Sequence, residues 1–153
     1  ERIFKSVAKA LMPAERSTGI IFYRNTPQGR RYLILRSARK GDRPEFWDIP
    51  KGLLEDGEKK AIDAEVREAR EESGITDFSL AAGFKHTVSY FTRREGKPVP
   101  KFVAVFLAEA KSDKVKLSWE HDAYLWASFE EAIKKLSTMR PAMKAAEEFL
   151  NQK

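Results

Sequence analysis

The chain has 153 residues and no cysteine, with 42% hydrophobic and 34% charged residues. Its length is typical of one globular domain, and its composition excludes intrinsic disorder and a membrane-spanning protein. Without cysteine it has no disulfide, no thiolate metal ligand and no thiol nucleophile, which favours a reducing compartment, so we expect a cytoplasmic location without a signal peptide. We expect a single domain over residues 1–153 in which residues 1–16 form a basic lead-in.

The charge is unevenly distributed along the chain. The net charge is +6, but residues 52–77 carry nine acidic and four basic side chains. Such an acidic segment in a basic chain is explained by a solvated helix face, or by a carboxylate cluster that binds a cation next to groups that attract a polyanion. Charge alone favours the first explanation.

The first third of the chain predicts strands. Residues 17–23 are rich in isoleucine, phenylalanine and tyrosine and predict a strand, followed by a turn at 25–29 and a returning strand at 31–36. Residues 37–46 predict a polar loop. Residues 47–49 predict a short extended segment, because Pro50 disfavours helical geometry in the residue before it.

The acidic segment predicts a loop and then a helix. Residues 52–57 read as a loop, and a helix is expected over 61–73, ended by Gly74. Its apolar stripe consists of Ile62, Val66 and Ala69, at spacings of four and three residues. The stripe predicts that this helix packs one face on the core.

The second half predicts further strands and two closing helices. Extended structure is expected over 78–90 with a bend at Gly83, a hairpin loop over 93–98, and strands at 101–109, 115–117 and 123–127. Ser128 and Glu131 form a capping box for a helix to about residue 136. The last helix starts near Pro141, and its stripe is interpreted as core rather than as metal ligands: Met139, Met143, Ala146 and Leu150. This order of elements predicts an α/β or α+β layered domain.

Three glutamates share one side of the predicted acidic helix. Glu68 and Glu72 are one turn apart, and Glu71 borders the same face. Like charges so close repel, and a hard divalent cation removes that cost, since magnesium binds carboxylate oxygens together with substrate phosphates. Gly52 and Gly57 in the preceding loop allow backbone groups to approach a ligand closely.

This segment resembles the signature of the Nudix hydrolases. That signature reads Gly, five residues, Glu, seven residues, then Arg-Glu-apolar-any-Glu-Glu-any-Gly-apolar. The chain matches the second half at every specified position from Arg67 to Ile75, and it matches Gly52 and Glu58 in the first half. It departs from the signature in one respect, because eight residues rather than seven separate Glu58 from Arg67.

The resemblance extends beyond the signature, because residues 17–150 are similar to the asymmetric diadenosine tetraphosphate hydrolases. The similarity is carried by 47–52, 83–85, Tyr90, Lys101, 106–109 and 118–126. It implies an α/β/α sandwich with a mixed central sheet and flanking helices. It also implies a small-molecule nucleotide substrate, most simply diadenosine tetraphosphate, cleaved to ATP and AMP by attack of water at phosphorus.

The resemblance also implies roles for individual residues. Mg²⁺, with Mn²⁺ as an alternative, would be bound by the Gly52 carbonyl and by the carboxylates of Glu68, Glu71 and Glu72. Arg67 would orient Glu68 through Glu58. Glu120 is the candidate for a distant carboxylate that serves as a further ligand or as the base, with a surface glutamate as the simpler interpretation. Glu71 is the other candidate for the base.

Binding of the substrate requires cations for the phosphates and flat surfaces for the bases. The lysines expected near the phosphates are Lys51, Lys85 and Lys101. The resemblance places Tyr90 and Tyr124 where bases stack, although each is also explained by ordinary sheet packing.

The sequence leaves other functions open. One alternative is removal of pyrophosphate from RNA 5′ ends, and another is clean-up of unusual nucleoside triphosphates. An alternative of a different class is a non-catalytic module that senses nucleotides. We expect a monomer without a membrane partner.

Overall fold

The computed structural model describes residues 13–38, 41, 44–53, 66–67, 71 and 73–152. Within these residues eight strands form one mixed sheet. The strands are β1 (Glu15–Thr26), β2 (Gly29–Ser37), β3 (Trp47–Asp48), β4 (Lys51–Leu53), β5 (Phe78–Leu80), β6 (His86–Arg94), β7 (Lys97–Ala110) and β8 (His121–Ala127). Two helices follow the last strand, α1 (Phe129–Lys135) and α2 (Arg140–Asn151). No helix in these described ranges is long and apolar enough to cross a membrane.

The centre of the sheet is formed by β1. It runs parallel to β7 along most of its length and forms an antiparallel hairpin with β2 through the turn between Thr26 and Gly29. Away from this turn the hairpin opens, and the short strands β3 and β4 fill the gap, where β3 pairs with β2 and β4 pairs with β1. Within the described part of the chain, β6 pairs with β7 and β8 pairs with β2. Backbone groups of residues 47–53 are thereby fixed between two long strands.

Side chains alternate between the two faces of the sheet and form two cores. The first core contains Ile21 and Ile34 and packs against α1 and α2. The second core lies on the opposite face and contains Ile20 and Leu35. The predicted stripe of α2 is buried in the first core, as expected for Met139, Met143, Ala146 and Leu150. The Ser128 cap is also confirmed, since its Oγ accepts the backbone N–H of Glu131 at 3.2 Å.

The predicted acidic helix is described at four positions. Val66, Arg67, Glu71 and Ser73 are helical, and we call these four residues the signature helix. It ends before Gly74, whose φ of +70° is the left-handed geometry that a helix C-terminus often requires. A Cβ at Gly74 would lie only 2.8 Å from Lys116 Cβ, so the close approach of Lys116 leaves no room for a side chain at this position. The predictions for residues 1–12, 54–65, 68–70 and 72 lie outside the described residues.

Three local predictions are wrong. The segment 115–117 is not a strand, because the Lys116 N–H donates to the Ser73 carbonyl at 2.8 Å, at the end of the signature helix, instead of to a strand. The expected loop at 93–98 is a tight turn at Glu95 and Gly96, flanked by strands. The expected loop beginning at Gly52 starts instead as strand β4, because the open hairpin offers Gly52 a partner in Thr18.

Candidate active site

Lys51 is held in place by two neighbours at the centre of the sheet. Its Nζ lies 2.8 Å from Asp48 Oδ2 and donates a hydrogen bond to the Tyr90 hydroxyl at 3.0 Å. Asp48 is only 6% exposed, and its other carboxylate oxygen accepts the Ile49 N–H at 2.8 Å. Both oxygens of Asp48 therefore have partners, and the ammonium of Lys51 has a defined position.

The local backbone explains this arrangement. Asp48 ends β3 and Lys51 begins β4, so the pair spans the link through Pro50. The Pro50 carbonyl accepts the Ile20 N–H at 3.0 Å, which fixes the link against β1. Lys51 pairs with Gly19 on β1, and its side chain reaches Tyr90 on β6, beyond β1 and β7.

A second lysine lies next to this group. Lys101 on β7 is the direct cross-strand neighbour of Tyr90 on β6 and of Glu15 on β1. Glu15 is bound by Arg94 through two hydrogen bonds of 2.9 Å, and Lys101 has no ion pair within the described ranges. Among the described residues of this group, cations outnumber carboxylates, which suits an anionic ligand.

The pKa values of the two lysines move in opposite directions. Burial acts to lower the pKa of Lys51, but the charge of Asp48 and the hydrogen bonds to Asp48 and Tyr90 outweigh it and raise the pKa. Burial lowers the pKa of Lys101, and the positive charge of Lys51 lowers it further. A bound phosphate would stabilise the charged form of Lys101, which its present surroundings disfavour.

Lys51 does not cover the flat face of the Tyr90 ring. Lys51 Nζ is 3.0 Å from the Tyr90 hydroxyl oxygen and 5.4 Å from the ring centroid. These two distances place the ammonium beyond the hydroxyl end of the ring rather than over its flat face. Lys51 and a nucleobase can therefore contact Tyr90 at the same time.

A polar pocket of about 160 Å³ lies beside Lys51. Its lining includes Asp48 and Lys51 from the β3–β4 link and Glu120 and His121 from the start of β8, with Ser37 between them. Glu120 is fixed through its backbone, since its carbonyl accepts the Ala38 N–H at 2.9 Å. Burial lowers the pKa of His121, which the charges of Glu120, Asp48 and Asp122 partly oppose. The structure thus brings the predicted residues Lys51 and Glu120 together.

On the signature helix, the described contact joins Arg67 to Glu71. Arg67 Nη1 is 3.2 Å from Glu71 Oε2, and the Glu71 side chain is 58% exposed. A guanidinium at this position orients the carboxylate while leaving it accessible. The expected partners of Arg67, which are Glu58 and Glu68, lie outside the described residues, as does Glu72.

The remaining predicted residues are dispersed. Gly52 lies in β4 opposite Thr18. Lys85 is exposed before β6, where no described contact joins it to Lys51. Tyr124 is 43% exposed on β8 and pairs with Leu35 of the second core, whereas Tyr90 packs against the first core. The two tyrosines therefore lie on different faces of the sheet and would contact different parts of a ligand.

Sequence analysis missed Asp48. An acidic residue between Trp47 and Ile49, three positions before a lysine, is the signal that indicates it, because a carboxylate in an apolar stretch needs a partner. No group of three or more metal-ligating side chains is formed by the residues that the structure describes. The described members of the predicted metal set are Gly52, Glu71 and Glu120.

Comparisons with known proteins agree with this architecture. The family model described as the NUDIX domain matches residues 13–148. The asymmetrical bis(5'-nucleosyl)-tetraphosphatase of Mus musculus is 32% identical over 125 residues, which cover 78% of this chain and 80% of the mouse protein. The crystal structure of a C. elegans Ap4A hydrolase binary complex has a TM-score of 0.78 and 29% identity, and covers 92% of this chain and 100% of that chain. An mRNA-decapping protein of African swine fever virus is 32% identical over 99 residues, which are 61% of this chain and 39% of the viral protein.

These findings confirm three predictions made from the signature and from the stretches around it. The family, the mixed-sheet fold and the assignment as a Nudix pyrophosphohydrolase are all supported by a match that begins two residues before β1 and ends within α2. The roles of the individual site residues stay predictions. The chain belongs to the NUDIX domain family.

Proposed function

We propose that this chain cleaves diadenosine tetraphosphate asymmetrically, to ATP and AMP, with a divalent metal ion. The observation that carries the proposal is the ammonium of Lys51, fixed by Asp48 and Tyr90 beside Lys101 and in one pocket with Glu120. The similarity to asymmetrical tetraphosphatases over 78% of the chain supports the substrate class. We also propose that the protein acts as a monomer in the cytoplasm.

Phosphate binding is assigned to the lysines. Lys51 presents a pre-positioned charge, so little side-chain entropy is lost when it meets a phosphate oxygen. Lys101 supplies a second charge, and burial together with the charge of Lys51 lowers its pKa. Tyr90, whose ring face Lys51 does not cover, is assigned to one base, and Tyr124 and the exposed Lys85 are available to more distant parts of the substrate.

The residues available for a metal fit a hard cation. Gly52, Glu71 and Glu120 offer oxygen atoms, and the exposed carboxylate of Glu71 is free to bind an ion on its outer side. Together with Glu68 and Glu72 they would hold Mg²⁺, with Mn²⁺ as the alternative. When bound, such an ion neutralises phosphate charge and lowers the pKa of water.

The chain's own residues then orient the reaction. Phosphoryl transfer needs positioning and charge stabilisation more than covalent participation by the protein, so no nucleophilic side chain is required. A water oxygen attacks one phosphorus as the bond from that phosphorus to the bridging oxygen breaks, which gives ATP and AMP. Glu71, oriented by Arg67, or Glu120 accepts the proton of the water.

Glu71→Gln tests this proposal. The amide keeps the shape of the side chain but cannot take a proton, so we expect kcat to fall about a hundredfold or more. Nucleotide binding measured with chelator present should change less than about twofold, because Lys51 and Tyr90 are untouched. Glu109→Gln is the matched control, since Glu109 is a partly exposed glutamate in a surface pair with Lys111. An unchanged kcat in Glu71→Gln would exclude Glu71 from the chemistry. A wild type that binds nucleotide but hydrolyses none would favour a sensor.

A second candidate function is hydrolysis at RNA 5′ ends. It is favoured by the similarity to the viral mRNA-decapping protein and by the basic tip of the β6–β7 hairpin, where Arg93 and Arg94 are exposed. Tyr124→Ala separates the two candidates. If this variant loses activity on RNA but keeps full activity on the dinucleotide, the RNA end is the better substrate assignment.

A further inference from the structure

The three tryptophans of the chain differ in how they are used. Trp47 is 8% exposed and its indole N–H donates to the Glu45 carboxylate. Trp126 donates its indole N–H to the Asp113 carbonyl at 2.9 Å and lies under the guanidinium of Arg24. Trp119 is 83% exposed, and within the described ranges its indole N–H has no acceptor. Packing accounts for the first two tryptophans but not for the third.

Trp119 is carried by a fixed piece of backbone. It lies in a turn that is closed by the His121 N–H, which donates to the Ser118 carbonyl at 3.2 Å. The next residue, Glu120, is bound to the end of β2 through the Ala38 N–H at 2.9 Å. A large flat ring on a fixed turn loses little entropy when a ligand stacks on it.

The turn also forms one wall of the polar pocket. Glu120 and His121, which follow Trp119 directly, line that pocket opposite Asp48 and Lys51. Trp119 is not itself part of the lining, but it directly precedes the two residues that form this wall. The chemistry that suits a neutral exposed indole near the phosphate-binding lysine Lys51 is a nucleobase attached to those phosphates.

We propose that Trp119 is the stacking platform for the second nucleobase of a dinucleoside polyphosphate. This inference rests on the proposed function, in which Tyr90 serves the first base. It gives the chain a reason to prefer a substrate with two nucleosides over one with the same phosphates and a single nucleoside.

Two probes isolate the second base: diadenosine tetraphosphate and adenosine 5′-tetraphosphate. They share four phosphates and one adenosine, and only the first carries another base. In Trp119→Ala we expect KM for the dinucleotide to rise about five- to tenfold at unchanged kcat, the lower part of the range for loss of one base–aromatic stack. KM for the mononucleotide should change less than about twofold. Trp119→Phe keeps a ring and should restore most of the loss.

Leu80→Ala is the matched control, because Leu80 is also an exposed large hydrophobic residue, at 38%, but lies on β5 and lines neither the polar pocket nor the surroundings of Tyr90. It should alter neither KM. Tryptophan emission gives an independent measurement with chelator present, since the dinucleotide should quench the exposed Trp119 more than the mononucleotide does. Equal effects of Trp119→Ala on both probes, or none on either, would overturn the inference. If the wild type hydrolyses neither probe, the proposed function fails, and the binding comparison still decides the role of Trp119.

Discussion

Replacing Asp48 by asparagine removes the charge that pairs with Lys51 and keeps the size of the side chain. The amide oxygen of the new side chain can still accept the Ile49 N–H, so the main loss is the ion pair of 2.8 Å. Removing one partner of a buried pair costs about 3–5 kcal/mol. The side chains of Lys51 and Asp48 are 20% and 9% exposed, and Lys51 keeps Tyr90, so we expect a smaller loss of about 2–3 kcal/mol.

Urea denaturation of Asp48→Asn measures this loss directly. A cost of about 2–3 kcal/mol corresponds to a fall in Tm of about 5–10 °C for a domain of this size. Glu109→Gln is again the control, because its pair with Lys111 is exposed and should contribute less than about 0.5 kcal/mol. If Asp48→Asn costs no more than Glu109→Gln, the reasoning about the buried pair is refuted. KM for the nucleotide should also rise in Asp48→Asn, since Lys51 loses its fixed position.

Two further predictions concern the fold. Gly74→Ala should destabilise the protein by more than Gly96→Ala in urea denaturation, because both glycines have a left-handed φ but only Gly74 would place a Cβ 2.8 Å from Lys116. Equal losses would show that Lys116 moves aside freely. Burial and the nearby Glu147 carboxylate raise the pKa of Tyr32 above its ordinary 10.0, so the folded state favours the protonated phenol. This stabilisation is complete below pH 10 and is lost as the pH rises toward the pKa of the folded state. In Tyr32→Phe the free energy of unfolding should therefore fall less between neutral and alkaline pH than in the wild type. If the free energy of unfolding of Tyr32→Phe falls as steeply as that of the wild type above about pH 10, other groups cause the decrease.

The helical end of the fold could be predicted because its signals are local. The Ser128 cap and the buried stripe that includes Met143 depend on spacings within one helix, and both are confirmed. The insertion of β3 and β4 into the open hairpin could not be predicted in this way. It depends on pairing of Gly52 with Thr18 and of Asp48 with Leu35, which are distant in sequence. The wrong strand at 115–117 has the same origin, because Lys116 bonds to the end of a helix about forty residues earlier.

The candidate site was predictable to a similar extent. The motif around Lys51 and the positions of Lys101 and Tyr90 follow from family resemblance, and the structure brings these three together. Asp48 was missed because its role depends on the bend at Pro50, which returns Lys51 to it. Trp119 was missed as a candidate functional residue because the sequence does not show which of the three tryptophans is exposed.

Product analysis tests directly whether the protein cleaves the dinucleotide asymmetrically with a divalent metal ion. The protein is incubated with diadenosine tetraphosphate and Mg²⁺, with and without chelator, and the nucleotides are separated. We predict equal amounts of ATP and AMP, abolished by the chelator and retained in Glu109→Gln. Formation of two molecules of ADP, or turnover that the chelator leaves unchanged, would contradict the account.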